Sequence, residues 1–292
     1  MSSPAFLGHQ SILRQKPPPP PQIRMEIPQE LVDEILNYLS LGDKQDQQSL
    51  RNCSLVSKSW INSSRRRIFE SVVIGGANRR LWLDKISPSN IDLLWHVRSL
   101  SLISDPWKRE PSSKSTDFND LYAYFPSLRR LHTIKLYDTR ISPDIPERVE
   151  VFSACQQSLS SLIFAVVSLP WRSLIALIGY FPNLRNLELR GISFEDTDRN
   201  TPPLSRPLRG KLSFYISGEE HLAALSCWFA GLEVEYEELA TNVGHMSGPH
   251  SQRVVTACGK TLKFLEFGRR KYLLPWAMLR ISVNPTHKCV SL

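Results

Sequence analysis

Apolar positions near the start of this chain follow a helical period. In QELVDEILNYL, starting at Gln29, the residues Leu31, Val32, Ile35, Leu36 and Leu39 recur at i, i+4 and i+8, and Pro28 suits a first helical turn. One amphipathic helix is therefore predicted, broken at Gly42-Asp43. A polar connection, KQDQQ, leads to a second short pattern carrying Leu50, Cys53, Leu55 and Val56. A third pattern follows Ser57, a predicted N-cap, with Trp60, Ile61, Ser64, Ile68 and Phe69 along one side. Three helices of this size bury only a modest fraction of their surface, so their apolar face needs a neighbour.

Beyond residue 72 the pattern changes to a recurring apolar-x-x-Leu-x-apolar unit, the strand signature of a leucine-rich repeat. Its copies are Val97-Leu100-Leu102, Leu159-Leu162-Phe164, Leu184-Leu187-Leu189, Phe229-Leu232-Val234 and Leu262-Leu265-Phe267, with weaker ones at Leu128-Leu131-Thr133 and Leu212-Phe214. FPSLRRL and FPNLRNL form one matching pair of segments, and CQQSLSSLIF and CGKTLKFLEF another. The asparagine that usually follows such a strand is missing, since the chain reads Asp105 past Leu102 and Ile192 past Leu189, and an irregular solenoid is the expectation. The leucines are core. A repeat body presents function on the intervening strand residues and adjoining loops, which makes Arg98, Ser101, Arg185, Glu188, Arg190, Lys263 and Glu266 the candidates for contacting a protein substrate.

IPQELVDEILNYL followed by LRNCSLVSKSW resembles the F-box motif, over residues 27 to about 70. The segment is similar to the F-box proteins expanded in mushroom-forming (basidiomycete) fungi. It departs from the usual pattern at Ile27, at Ser57 and in a longer connection around Gly42 to Gln48, where added length is cheap. The resemblance implies docking onto the Skp-family adaptor of a cullin-RING ubiquitin ligase, with the C-terminal body holding substrate and catalysis left to other subunits. Carried over by position, Pro28, Leu31, Ile35, Leu36, Leu39, Val56 and Trp60 would contact the adaptor or close the three-helix core, a division that the residues themselves leave open. A scaffold that binds a partner without any ligase is the alternative.

Composition adds limits. Over 292 residues, 41% hydrophobic and 22% charged content is that of a globular protein, but Pro17 to Pro21 mark residues 1–25 as a stiff, disordered leader. The expected organisation is leader 1–25, F-box 26–72 and body 73–292. The fold class is α+β: three helices, then an irregular leucine-rich-repeat-like α/β solenoid. A net charge of +8 raises nucleic acid, yet no aromatic-interleaved basic motif accompanies the scattered runs Arg65-Arg66-Arg67, Lys108-Arg109, Arg129-Arg130 and Arg269-Arg270-Lys271. Five widely spaced cysteines without a C-x-x-C pair argue against a disulfide framework, and no stretch of 18 apolar residues occurs. A cytoplasmic or nuclear chain with no membrane and no nucleic-acid partner is the expectation.

No catalytic chemistry emerges. Gly259-Lys260-Thr261 ends like a phosphate-binding loop, but Val254 stands where the first glycine is required. His245, His250 and Cys258 could be imagined on zinc, although GHMSGPH reads as an exposed loop, and the acidic run Glu233, Glu235, Glu237 and Glu238 reads as a solvated face. Cys289-Val290-Ser291-Leu292 formally matches a prenylation box with a polar residue where an aliphatic one belongs. The chain is therefore read as non-catalytic, with no cofactor and no metal.

Overall fold

A computed structural model describes residues 27–39, 43–75, 88–103, 122–139, 141, 145–195, 204, 206–216, 219–230, 234–242, 249–259, 261–269 and 277–282. The leader 1–25 and the terminal Cys289 box lie outside the described residues.

Three helices come first: α1 (Gln29–Asn37), α2 (Lys44–Val56) and α3 (Lys58–Glu70). Pro28 precedes α1 with φ −52, and its carbonyl accepts the Leu31 and Val32 amides. The expected connection KQDQQ is instead the start of α2. Asp43 caps that helix by accepting from the amides of Gln45 at 2.6 Å and Asp46 at 3.4 Å, which satisfies donors that a helix start leaves open. Ser57 stands at the N-cap of α3 as predicted, but its hydroxyl meets that of Ser59 at 2.7 Å instead of a backbone amide.

No residue separates α3 from the first strand. Strands β1 (Ser71–Gly75), β2 (Ser99–Ile103), β3 (Thr133–Tyr137), β4 (Ser161–Ala165), β6 (Asn186–Arg190), β8 (Leu208–Tyr215), β9 (Val234–Asn242), β10 (Phe264–Arg269) and β11 (Ala277–Ser282) form one sheet in chain order. All neighbours pair in parallel except β10 with β11, which are antiparallel. Two short strands, β5 (Ser168–Leu169) and β7 (Ser193–Phe194), pair beside it. Helices α4 (Ile145–Arg148), α5 (Trp171–Tyr180), α6 (Glu219–Ala230) and α7 (Pro249–Cys258) lie in the connections.

The pairing register stacks Val72, Leu100, Ile134, Leu162, Leu187, Leu212, Leu239 and Leu265 in one row, all buried. Two residues further on, Ile74, Leu102, Leu136, Phe164, Leu189 and Phe214 form a second row. Alternation puts both rows on one face, where they join a single continuous core with Phe125, Phe152, Phe181, Leu174 and Leu225.

Two copies of the repeat pattern are corrected, and one strand lay outside it. In β3 the residues in register are Leu131, Ile134 and Leu136, so the copy placed at Leu128-Leu131-Thr133 is three residues early. Phe125, Leu128 and Leu131 are all buried, and spacing alone could not choose among them. In β9 the register falls on Leu239 and Thr241, whereas Phe229 belongs to α6, and Leu232 lies outside the described residues. A bulge between Gly210 and Lys211 shifts that pairing; Gly210 sits at φ +95, where a Cβ would collide with the Arg185 carbonyl oxygen. The strand β1 carries Val72 and Ile74 without a leucine and so escaped the pattern.

The residue after each of β3, β4 and β6 reverses the chain with positive φ: Asp138 at 48, Val166 at 56 and Gly191 at 57. Aspartate and glycine tolerate that region, but a β-branched residue does not. Val166 is 63% exposed, so little packing opposes its replacement. Val166→Gly should stabilise the protein by about 1 kcal/mol, because roughly 1–2 kcal/mol of steric cost outweighs the extra chain entropy of glycine. Thermal unfolding should show a midpoint a few degrees higher; an unchanged or lower midpoint would show that this backbone is not strained.

Candidate interaction surfaces

The helical bundle closes on a small core of Val32, Leu36 and Leu50, with Leu39, Cys53, Trp60 and Ile68 packed against it. That core takes three of the positions named for adaptor contact: Leu36, Leu39 and Trp60. The others face outward. Pro28 is exposed, and Leu31, Ile35 and Val56 are 49%, 45% and 67% exposed. They are joined by Ile27, Tyr38 and Leu55, which the sequence reading did not select. Ile27, Leu31 and Ile35 follow one another at i, i+4, and Tyr38 lies one turn beyond, so that spacing was available in the sequence. The described bundle thus leaves large apolar side chains exposed along α1 and at the end of α2.

At its other end the bundle is fastened to the sheet. Phe69 packs into the main core, and the Glu70 carbonyl accepts the Arg98 amide at 2.9 Å. The Glu70 carboxylate meets Arg67 at 2.6 Å and Arg98 at 3.5 Å, while Arg67 also donates to the Leu39 carbonyl. These groups border a cleft of about 190 Å³ with Asp33, Ser63 and Arg66. A hydrogen bond from Ser63 holds the Asp33 carboxyl below its ordinary range despite partial burial, with Gln29 and Arg66 helping.

The candidate substrate residues fall in two places. Ser101, Glu188 and Glu266 share one register row with Lys135, Ile163, Ser213 and Ala240, on the face away from the core. Ser101 is only 7% exposed within it. Arg190, one row further on, pairs with Glu188 and lies 5.5 Å from the Tyr215 ring; burial raises the Tyr215 hydroxyl above its ordinary value. Arg98, Arg185 and Lys263 occupy the segments just before their strands, Lys263 pairing with Glu237 at 3.1 Å.

The acidic run is not simply solvated. Glu235 meets Arg209 at 2.6 Å, and Lys211 bridges Glu238 at 3.6 Å and Glu266 at 3.7 Å, so carboxylates on β9 face cations on the neighbouring β8, and Glu266 on β10 reaches Lys211 across β9. Lys211 and Tyr215 were missed because cross-strand neighbours become visible only when register is known. Exposed pairs of this kind contribute little stability each.

Among the imagined zinc ligands, His250 Nδ1 lies 3.2 Å from the Ser226 hydroxyl, and burial pushes the Cys258 thiol up to about 12. His245 lies outside the described residues, among which no group of three metal-ligating side chains gathers. Thr261 donates to the Tyr236 carbonyl at 3.1 Å in the turn after α7. No helix among the described residues is long and apolar enough to cross a membrane.

No curated protein matches this chain. The family model of the F-box domain matches residues 25–71, which contain α1, α2 and α3, and it identifies the N-terminal helical bundle as an F-box domain.

Proposed function

We propose that this chain is the substrate-recognition subunit of a Skp–cullin–F-box ubiquitin ligase. The observation that carries the reading is the coincidence of the F-box match with a bundle that leaves Ile27, Leu31, Ile35, Tyr38, Leu55 and Val56 uncovered. A Skp-family adaptor covers that face and links the chain to a cullin-RING enzyme. The body that follows is leucine-rich-repeat-like. Its support is the chain-ordered parallel sheet, whose inward row recurs every 25 to 34 residues from Val72 to Leu265. It holds a protein substrate near the ubiquitin-loaded enzyme and accelerates transfer by proximity, without catalytic groups of its own. Residues 1–25 are dispensable for this role, and the protein works in the cytoplasm or nucleus.

Co-expression with a Skp-family adaptor tests the reading. A stable complex should be recovered, with dissociation in the micromolar range or tighter. Failure to bind at micromolar concentration would remove the ligase assignment and favour a scaffold that works without one.

A further inference from the structure

Positive charge gathers where the helical bundle meets the first strands. Arg66 on α3 and Arg98 before β2 border the same cleft, and Arg129 and Arg130 occupy the exposed turn before β3. The backbone ties these segments together, since the Arg98 carbonyl accepts the amides of His132 and Thr133 at 2.8 and 3.0 Å. Among the described residues, the carboxylates bordering the cleft, Asp33 and Glu70, are engaged mainly by Ser63 and Arg67 and meet Arg66 and Arg98 only at longer range. Asp33 lies 3.8 Å from Arg66, Glu70 lies 3.5 Å from Arg98, and both arginines are half exposed. Among the described residues Arg129 and Arg130 have no carboxylate partner, and Arg129 is set 5.8 Å from the ring of Trp95, itself 49% exposed. The field is felt locally: burial, then Arg130 and Arg66, hold the His96 imidazole below its ordinary value.

We propose that this basic surface, built by Arg66, Arg98, Arg129 and Arg130 around Trp95, docks an acidic segment of the protein that the chain captures. The proposal rests on the substrate-recognition reading and gives its partner a chemistry. Charge complementarity selects the occupant: the guanidinium groups of Arg129 and Arg130 take carboxylates in forked geometry, half-exposed Arg66 and Arg98 add to the field, and Trp95 offers an apolar platform beside Arg129. A nucleic acid would satisfy the same charge, but among the described residues beside these arginines Trp95 alone is an exposed aromatic, which gives no stack for successive bases. The acidic segment would lie beside the adaptor-binding helices and not across the open face of the sheet.

The test uses the full chain in complex with its adaptor and a fluorescein-labelled oligoglutamate peptide, read by fluorescence polarisation. A single-stranded DNA oligonucleotide forms the second arm. The wild-type complex should bind the peptide, more weakly as salt rises. Arg129→Glu/Arg130→Glu should weaken that binding at least about tenfold, because two favourable contacts become two repulsive ones. Adaptor affinity and the thermal midpoint serve as controls, both residues being exposed in a turn. The proposal is overturned if the variant binds peptide like wild type, if DNA binds and peptide does not, or if the variant loses its adaptor, which would assign the surface to that interface. Absence of a wild-type adaptor complex would instead remove the ligase reading, and peptide binding to the chain alone would still decide the acidic-segment proposal.

Discussion

Leu31→Ala/Ile35→Ala should lower adaptor affinity by about ten- to a hundredfold while the helices remain folded. Both side chains are roughly half exposed in the free chain, at 49% and 45%, so an adaptor has about half of each still to bury. Full burial of such a side chain is worth about 1.5–3 kcal/mol, and two half-burials therefore sum to roughly 1.5–3 kcal/mol. The upper end of that range corresponds to a factor of about a hundred in affinity. Leu36→Ala makes the contrast, because Leu36 is 2% exposed in a small core whose other buried apolar residues, among those described, are Val32 and Leu50. Removing it should cost about 2–5 kcal/mol of folding stability and take adaptor binding with it. Titration calorimetry with circular dichroism on each variant separates the two effects. A double variant that binds like wild type would show that the adaptor sits elsewhere, and one that loses its helicity would show that these residues serve the fold.

The largest loss of stability is expected at Phe152. Its ring is fully buried between Phe125, at a centroid distance of 4.5 Å, and Phe181, at 5.8 Å, with Tyr122 edge-on at 6.4 Å. Phe152→Ala leaves a cavity that rings in two different connections cannot both relax to fill, and about 3–5 kcal/mol should be lost. Against a total of roughly 5–15 kcal/mol, that removes a large fraction of stability. Equilibrium denaturation in urea should show the midpoint fall with little change in slope. A loss under about 1 kcal/mol would mean that the aromatic cluster collapses around the gap.

The local elements were legible because they follow from spacing that each segment carries by itself. The helical periods around Leu31, Leu50 and Trp60 found all three helices, and leucines at alternate positions found β2, β4, β6, β8 and β10. Where one segment held more apolar residues than a strand needs, as at Phe125, Leu128 and Leu131, periodicity placed the strand three residues early. Where the inward residues were valine and isoleucine, as in β1, a leucine pattern passed over them.

Sequence by itself determined that the chain opens with an amphipathic bundle and continues as strands with one buried face, since both properties depend on residues close together along the chain. Only tertiary structure decided which half of α1 is core and which is surface. Leu31 and Ile35 lie on the same apolar stripe as Val32 and Leu36, and a stripe wider than its neighbours can cover divides according to where α2 and α3 pack. The same holds for Lys211, which meets Glu238 and Glu266 although 27 and 55 residues separate them in sequence, and for the arginines gathered from α3 and the turns before β2 and β3. Such groupings depend on strand register and on the path of each connection, which are set by burial of the common core and are not encoded by any one segment.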